Sequence, residues 1–222
     1  MIYFYPSDDE WSEYLNENNF NYTGYWPTEC TRASSANETI IDRWNTIPIP
    51  PPPELTPVYI TAKTTALLIL DMETTICKDP RCISSISKID TLLTRARRSR
   101  MLVVYSLTPT GNLLNIANQI IPLPGDPIVQ SSVDKFYKTT LERMLHEEGI
   151  KTVIVTGYAA NGAVLHTATS AAFRGYNVIV PVDCTSANNP YAEQYTAWHM
   201  LNSPGTRNKA ILTKVDLMNF LP

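Results

Sequence analysis

Residues 151 to 186 read KTVIVTGYAANGAVLHTATSAAFRGYNVIVPVDCTS. Thr152 to Thr156 is a β-branched run that Gly157 interrupts. Small residues from Gly162 to Ala172 then form a helix-like stretch closed by Gly175, and Asn177 to Val182 is apolar again. The pattern is strand, tight turn, helix, glycine stop and strand, which is one βαβ unit. Because both strands are almost continuous Val and Ile rather than alternating, they are expected at the centre of a parallel sheet covered on both faces. The turn between Thr156 and Ala163 then lies at a strand carboxyl end and a helix amino end. Backbone N–H groups converge there and favour an anion or a developing oxyanion.

Working outward, Thr65 to Leu70 (TALLIL) reads as a buried strand that ends at Asp71. A carboxylate there either caps the next turn or stands where α/β proteins place their chemistry. Ile83 to Arg100 carries Ile86, Ile89, Leu92, Leu93 and Ala96 at amphipathic helix spacing, and Met101 to Leu107 is a second strand. Thr108 to Ser132, with four prolines, is expected to be an excursion with at most a short helix near Leu113 to Ile120. Thr139 to Glu148 is a helix capped by Thr139 or Thr140 and stopped by Gly149. Pro190 to Leu201 is another, and Ala210 to Thr213 a last strand. This alternation predicts one α/β domain over residues 63–222, a three-layer α/β/α arrangement with a mostly parallel, Rossmann-like sheet.

Residues 1–62 are rich in Tyr, Trp, Asn and Pro and close with IPIPPPPELTP, an extended polyproline-type segment. Trp11, Trp26 and Trp44 favour an arm wrapped over the core or over a neighbouring subunit of a homo-oligomer, against a disordered linker. A net charge of −3 offers no field to gather phosphates, so nucleic acid is not an expected partner. Arg95, Arg97, Arg98 and Arg100 fall where cations complement a helix end and are expected to be solvated, as is His146 between acidic neighbours. Four cysteines are too few and scattered for a disulfide framework, and with three histidines no metal-ligand spacing arises. The amino terminus lacks a signal-peptide pattern and no apolar run is long enough for a bilayer, so a cytoplasmic protein without membrane contact is expected.

ALLILDM, a downstream lysine, and Thr156, Gly157, Val164, Ala168, Arg174, Gly175, Tyr176, Val178 and Asp183 in order resemble the isochorismatase-like hydrolases, or cysteine hydrolase superfamily, over roughly residues 65–215. The resemblance implies a parallel sheet flanked by helices and a small-molecule substrate, with no cofactor. It also implies a catalytic Asp, Lys and Cys. The Asp falls on Asp71 and the Lys on Lys135, with Lys138 as the rival. The cysteine position falls on Ala163, and Asn161 replaces a family Asp. The resemblance further implies a cis peptide at Tyr158-Ala159 and oxyanion donors from the backbone of Ala159 and Ala163.

An alanine methyl cannot attack, which excludes thiol catalysis at residue 163. Three readings of Ala163 remain: a subfamily that works without a nucleophile, a chain that now only binds, or a single replaced cysteine. Two departures together, at positions 161 and 163, favour the first. Asp71 and Lys135 would then form a tunable charged pair, with room for a ligand expected beside Ala163. Cys184 is expected to be structural, Glu73 and Asp134 to be solvated loop carboxylates, and no metal is implied, because Met72 to Cys77 contain no histidine. The alternative function is a binding or scaffold protein that keeps the fold.

Overall fold

The computed structural model describes residues 37–221. Two compact units divide between Pro51 and Pro52. In the first, the described residues carry a single 3-10 turn, Trp44–Thr46. Trp11 and Trp26 lie outside the described residues, so the wrapped arm is not tested by them.

The second unit is built on a seven-stranded sheet whose ladders are all parallel. Its strands are β2 (Thr65–Leu70), β3 (Leu102–Leu107), β4 (Ile128–Gln130), β5 (Thr152–Tyr158), β6 (Asn177–Pro181), β7 (Thr185–Ser186) and β8 (Ala210–Thr213). The spatial order is β4-β3-β2-β5-β6-β8, with β7 added beside β5. A separate two-stranded parallel ladder pairs β1 (Val58–Ile60) with β9 (Met218–Phe220). All six residues of β2 are buried, as expected for a continuous apolar run covered from both sides.

Alternation along β2 divides the core into two layers. Leu67 and Ile69 face α1 (Pro80–Arg98) through Ile86, Ile89 and Leu92. Leu68 and Leu70 share the opposite layer with residues of α2 (Leu141–Glu147), α3 (Leu165–Phe173) and α4 (Pro190–Asn202). The α/β/α layering is therefore present. No helix among the described residues is long and apolar enough to cross a membrane.

Several details differ from the pattern read in the sequence. Helix α1 starts at Pro80 rather than Ile83, because the Asp79 carboxylate accepts from Arg81 N (3.0 Å) and Cys82 N (3.1 Å) while Pro80 sits in the first turn. The excursion after β3 contains two 3-10 turns and strand β4, too short for periodicity to reveal. Gly157 does not end β5, which continues to Tyr158. Gly157 has φ +114° and lies opposite Leu70 so closely that a Cβ would overlap the Leu70 carbonyl oxygen.

The arginines at the end of α1 are not merely solvated. Arg95 donates to the Val215 and Met218 carbonyls, and Arg97 pairs with Asp126 (2.7 Å) and the Tyr105 hydroxyl (3.1 Å). Cys77 and Cys82 are joined in a disulfide with Cα atoms 5.4 Å apart. The turn from Glu73 to Cys77 and the Asp79 cap bring the two together across the start of α1, so a local pair exists although no framework does.

Candidate active site

The chain leaves β2 for β3 and β4 on one side, then returns with β5 on the other side of β2. The crevice between the carboxyl ends of β2 and β5 is thus the topological switch point, the place where open parallel sheets bind ligands. Leu70 pairs with Gly157, so the residues just beyond, Asp71 and Tyr158, flank that crevice.

Asp71 is 5 % exposed and has φ +50°, a left-handed conformation uncommon for a side-chain-bearing residue. Its backbone N–H donates to the Ser106 carbonyl (3.2 Å) and its Oδ1 accepts from Ser106 Oγ (2.6 Å). Its Oδ2 lies 2.8 Å from Lys135 Nζ. Lys135 is fully buried, and its ammonium also donates to the Leu107 carbonyl (3.3 Å) and the Ser131 carbonyl (2.9 Å). Burial pushes the Asp71 carboxyl above its ordinary range, against the opposing pull of Lys135 and the Ser106 hydroxyl, while Glu73 adds to the rise.

The segment carrying Lys135 is anchored to α3. Thr167 Oγ1 accepts from Lys135 N (3.2 Å), and Ser170 Oγ donates to Asp134 Oδ2 (2.9 Å). Asp134 Oδ1 also accepts from Phe136 N (2.9 Å), so Asp134 is a structural fastener and not a solvated loop residue. Lys138 is exposed, with its ammonium 5.1 Å from the centre of the Tyr137 ring. It is Lys135, of the two lysines, that reaches Asp71.

On the other wall, Tyr158-Ala159 is a cis peptide. Ala160–Val164 then forms one turn of π-helix before α3, with the Gly162 and Val164 N–H groups both donating to the Ala159 carbonyl (2.8 and 3.3 Å). Asn161 is on the exposed side of this turn and Ala159 is half-buried. Ala163 is 3 % exposed and packs in the apolar layer with Leu68, Leu70, Val164 and Phe136. Glu73 is also buried (1 % exposed) rather than solvated. Cys184 is fully buried, its thiol pushed well above its usual range by burial.

The sequence pattern does not single out Ser106 or Thr167. The one signal for Ser106 is a hydroxyl near the end of an otherwise apolar strand, LVVYSL, a position that has to bond something.

Residues 65–213 match the family model described as Isochorismatase domain. The uncharacterized isochorismatase family protein YaaI of Bacillus subtilis (strain 168) is 32% identical over 89 residues, covering 40% of this chain and 49% of that protein. N-carbamoylsarcosine amidase of Arthrobacter sp. is 31% identical over 108 residues, covering 46% of this chain and 41% of that protein. The chain thus spans less than half the length of these two curated relatives. Among solved structures, N-carbamoylsarcosine amidase from Thermoplasma acidophilum superposes with a TM-score of 0.59 at 24% identity, over 69% of this chain and 97% of that one. At that identity the likeness concerns the fold.

Proposed function

The chain belongs to the isochorismatase family, and from that premise we propose that it hydrolyses a small polar molecule through acid–base catalysis by Asp71 and Lys135 without a covalent thiol intermediate. The observation that carries the proposal is the buried Asp71–Lys135 pair at the mouth of the β2/β5 crevice. Its environment favours a proton on Asp71, as a general acid requires.

For an amide, water adds to the carbonyl carbon and gives up a proton to the Asp71 carboxylate. The protonated Asp71 then returns that proton to the leaving nitrogen. For a vinyl ether, protonated Asp71 donates to the substrate carbon, and water adds to the resulting oxocarbenium and returns a proton to Asp71. The hemiketal so formed breaks its C–O bond, its hydroxyl proton passing to the leaving oxygen as ketone and alcohol separate. In both cases Lys135 balances the carboxylate as the charge changes, and for an amide the backbone N–H groups of Ala159 and Ala163 are assigned to the carbonyl oxygen that gains charge. With an alanine at residue 163 the carbonyl is attacked by water directly.

A second reading, a non-catalytic binding protein on the same fold, is favoured by one observation, the apolar packing of Ala163 where the resemblance assigns the nucleophile. Turnover of isochorismate and a panel of small amides and imides, headed by N-carbamoyl amino acids in view of the amidase relative, separates the two. Hydrolysis that disappears in a folded Asp71→Asn variant supports the enzyme. Saturable binding without turnover supports the second reading.

A further inference from the structure

Glu73 stands two residues beyond Asp71, where the chain has left β2. Thr74 N donates to the Asn115 carbonyl (2.7 Å), Ala117 N donates to the Met72 carbonyl (3.1 Å), and Glu73 itself forms an antiparallel bridge with Ile116. This pins the segment beneath the excursion after β3 and leaves Glu73 1 % exposed. Its Oε1 accepts from Thr108 N (2.7 Å), and its Oε2 contacts Thr108 Oγ1 (3.5 Å). Gly111 passes so close that a Cβ there would overlap both carboxyl oxygens. Gln130 Nε2 fixes that loop by donating to the carbonyls of Thr108 (3.0 Å), Pro109 (3.2 Å) and Gly111 (3.1 Å). The loop is shaped around the Glu73 carboxyl.

No Lys or Arg among the described residues forms an ion pair with it. Buried carboxyls are rarely left without a cation. The end of β3 explains where the balancing charge lies. Ser106 donates to Asp71, the Leu107 carbonyl accepts from Lys135, and Thr108 donates to Glu73. Three consecutive residues thus hold three ionisable side chains, two carboxyls and one ammonium.

We infer that Glu73 is a positioning residue of the candidate site, which is a two-carboxyl, one-ammonium cluster built to take up a proton. With both carboxyls ionised and Lys135 charged, the cluster carries one negative charge in excess in a poorly solvated place, and uptake of one proton removes it. The groups acting on Asp71 are Lys135, the Ser106 hydroxyl and Glu73, and of these only Glu73 opposes ionisation. This inference rests on the assignment of Asp71 as the acid, and adds that Glu73 reinforces burial, the larger influence, in holding a proton there.

The test is the titration of the Asp71 carboxyl carbon by NMR in the full chain, a measurement that needs no substrate. Glu73→Gln keeps the shape and the Thr108 contact but removes the charge, so the Asp71 midpoint moves to lower pH. Glu73→Asp keeps the charge and restores the midpoint towards that of the parent. Where turnover is found, the limb of its pH profile set by Asp71, acidic for an amide and alkaline for a vinyl ether, moves to lower pH in Glu73→Gln by the same amount. An unchanged Asp71 midpoint in folded Glu73→Gln overturns the inference. If that variant does not fold, Gly111→Ala, which displaces the carboxyl, is titrated instead, and the same criterion applies. Absence of turnover in the parent chain would count against the hydrolase and leave this titration decisive for Glu73.

Discussion

Lys135 Nζ lies 2.8 Å from Asp71 Oδ2 with the lysine side chain fully out of solvent, so each charge has its main compensation in the other. The two halves are not equivalent on deletion. In Asp71→Asn, a buried ammonium remains with only the Leu107 and Ser131 carbonyls. In Lys135→Met, the carboxyl left behind can take a proton and keep its Ser106 bond. Breaking a buried pair by removing one partner typically costs about 3–5 kcal/mol. Asp71→Asn is expected near that figure and Lys135→Met below it, while both abolish turnover. Urea unfolding at neutral pH measures the difference, and equal losses would contradict the asymmetry.

Protonation gives the same site a pH signature. The folded protein holds the Asp71 proton above the ordinary value of 3.8. Between 3.8 and the raised value the native state therefore binds more protons than the unfolded chain, and unfolding free energy falls as pH rises. The contribution of Asp71 is complete below 3.8 and is lost as pH climbs through the raised value. Asp71→Asn should flatten this part of the stability curve while the contributions of other carboxyls persist. Denaturant midpoints at several pH values check the slope.

Gly157 lets β2 and β5 approach where the site begins. Its φ of +114° and the Leu70 carbonyl oxygen at its α-carbon leave no place for a methyl. Gly157→Ala is expected to destabilise by more than the ~1 kcal/mol typical of a surface backbone effect, because the strands have to separate. A thermal melt would show this as a clear drop, and an unchanged melting temperature would refute the close approach.

The sheet centre was legible because Val and Ile runs have one reading when flanked by turn residues, and β2, β3, β5 and β8 fall within a residue or two of the expected bounds. Strands β1, β4, β7 and β9 have two or three residues each, shorter than any period, and are set by pairing with distant segments. At the site, Asp71 could be singled out because it follows a buried strand. The meeting with Lys135 depends on Thr167 and Ser170 fastening a loop from another part of the chain, which no local pattern encodes. The burial of Glu73 was missed for the same reason: Thr108 and Gly111 enclose it from 35 or more residues away.

The cysteines offer a labelling test. Cys77 and Cys82 are bonded, and Cys184 is fully buried with its thiol held protonated by its surroundings. In the folded, unreduced protein, iodoacetamide should therefore modify none of these three, and mild reduction should expose the Cys77–Cys82 pair alone. Activity, if thiol-independent, should persist through alkylation of Cys184 in partly unfolded and refolded protein. Peptide mass mapping with turnover assays reads both, and loss of turnover on alkylating Cys184 alone with the fold intact would sink the nucleophile-free mechanism.

Ala163 decides between a site with a void beside it and one that relies on the turn backbone. Ala163 is 3 % exposed and belongs to the buried apolar layer that also holds Leu68, Leu70 and Phe136, so three added carbons have to be taken up within that layer. Ala163→Leu is expected to cost about 1–3 kcal/mol by overpacking and to distort the turn whose Ala159 and Ala163 N–H groups are proposed as oxyanion donors. Ala163→Cys adds one sulfur, should fold with a melting temperature close to that of the parent, and leaves those amides in place. Its thiolate would be favoured by the helix start and by Lys135, and opposed by burial. Melts of both variants, read beside hydrolysis of the amide panel, separate the effects. A parent-like melt for Ala163→Leu together with lost ligand binding would place a ligand cavity at the methyl and contradict its close packing in the apolar layer.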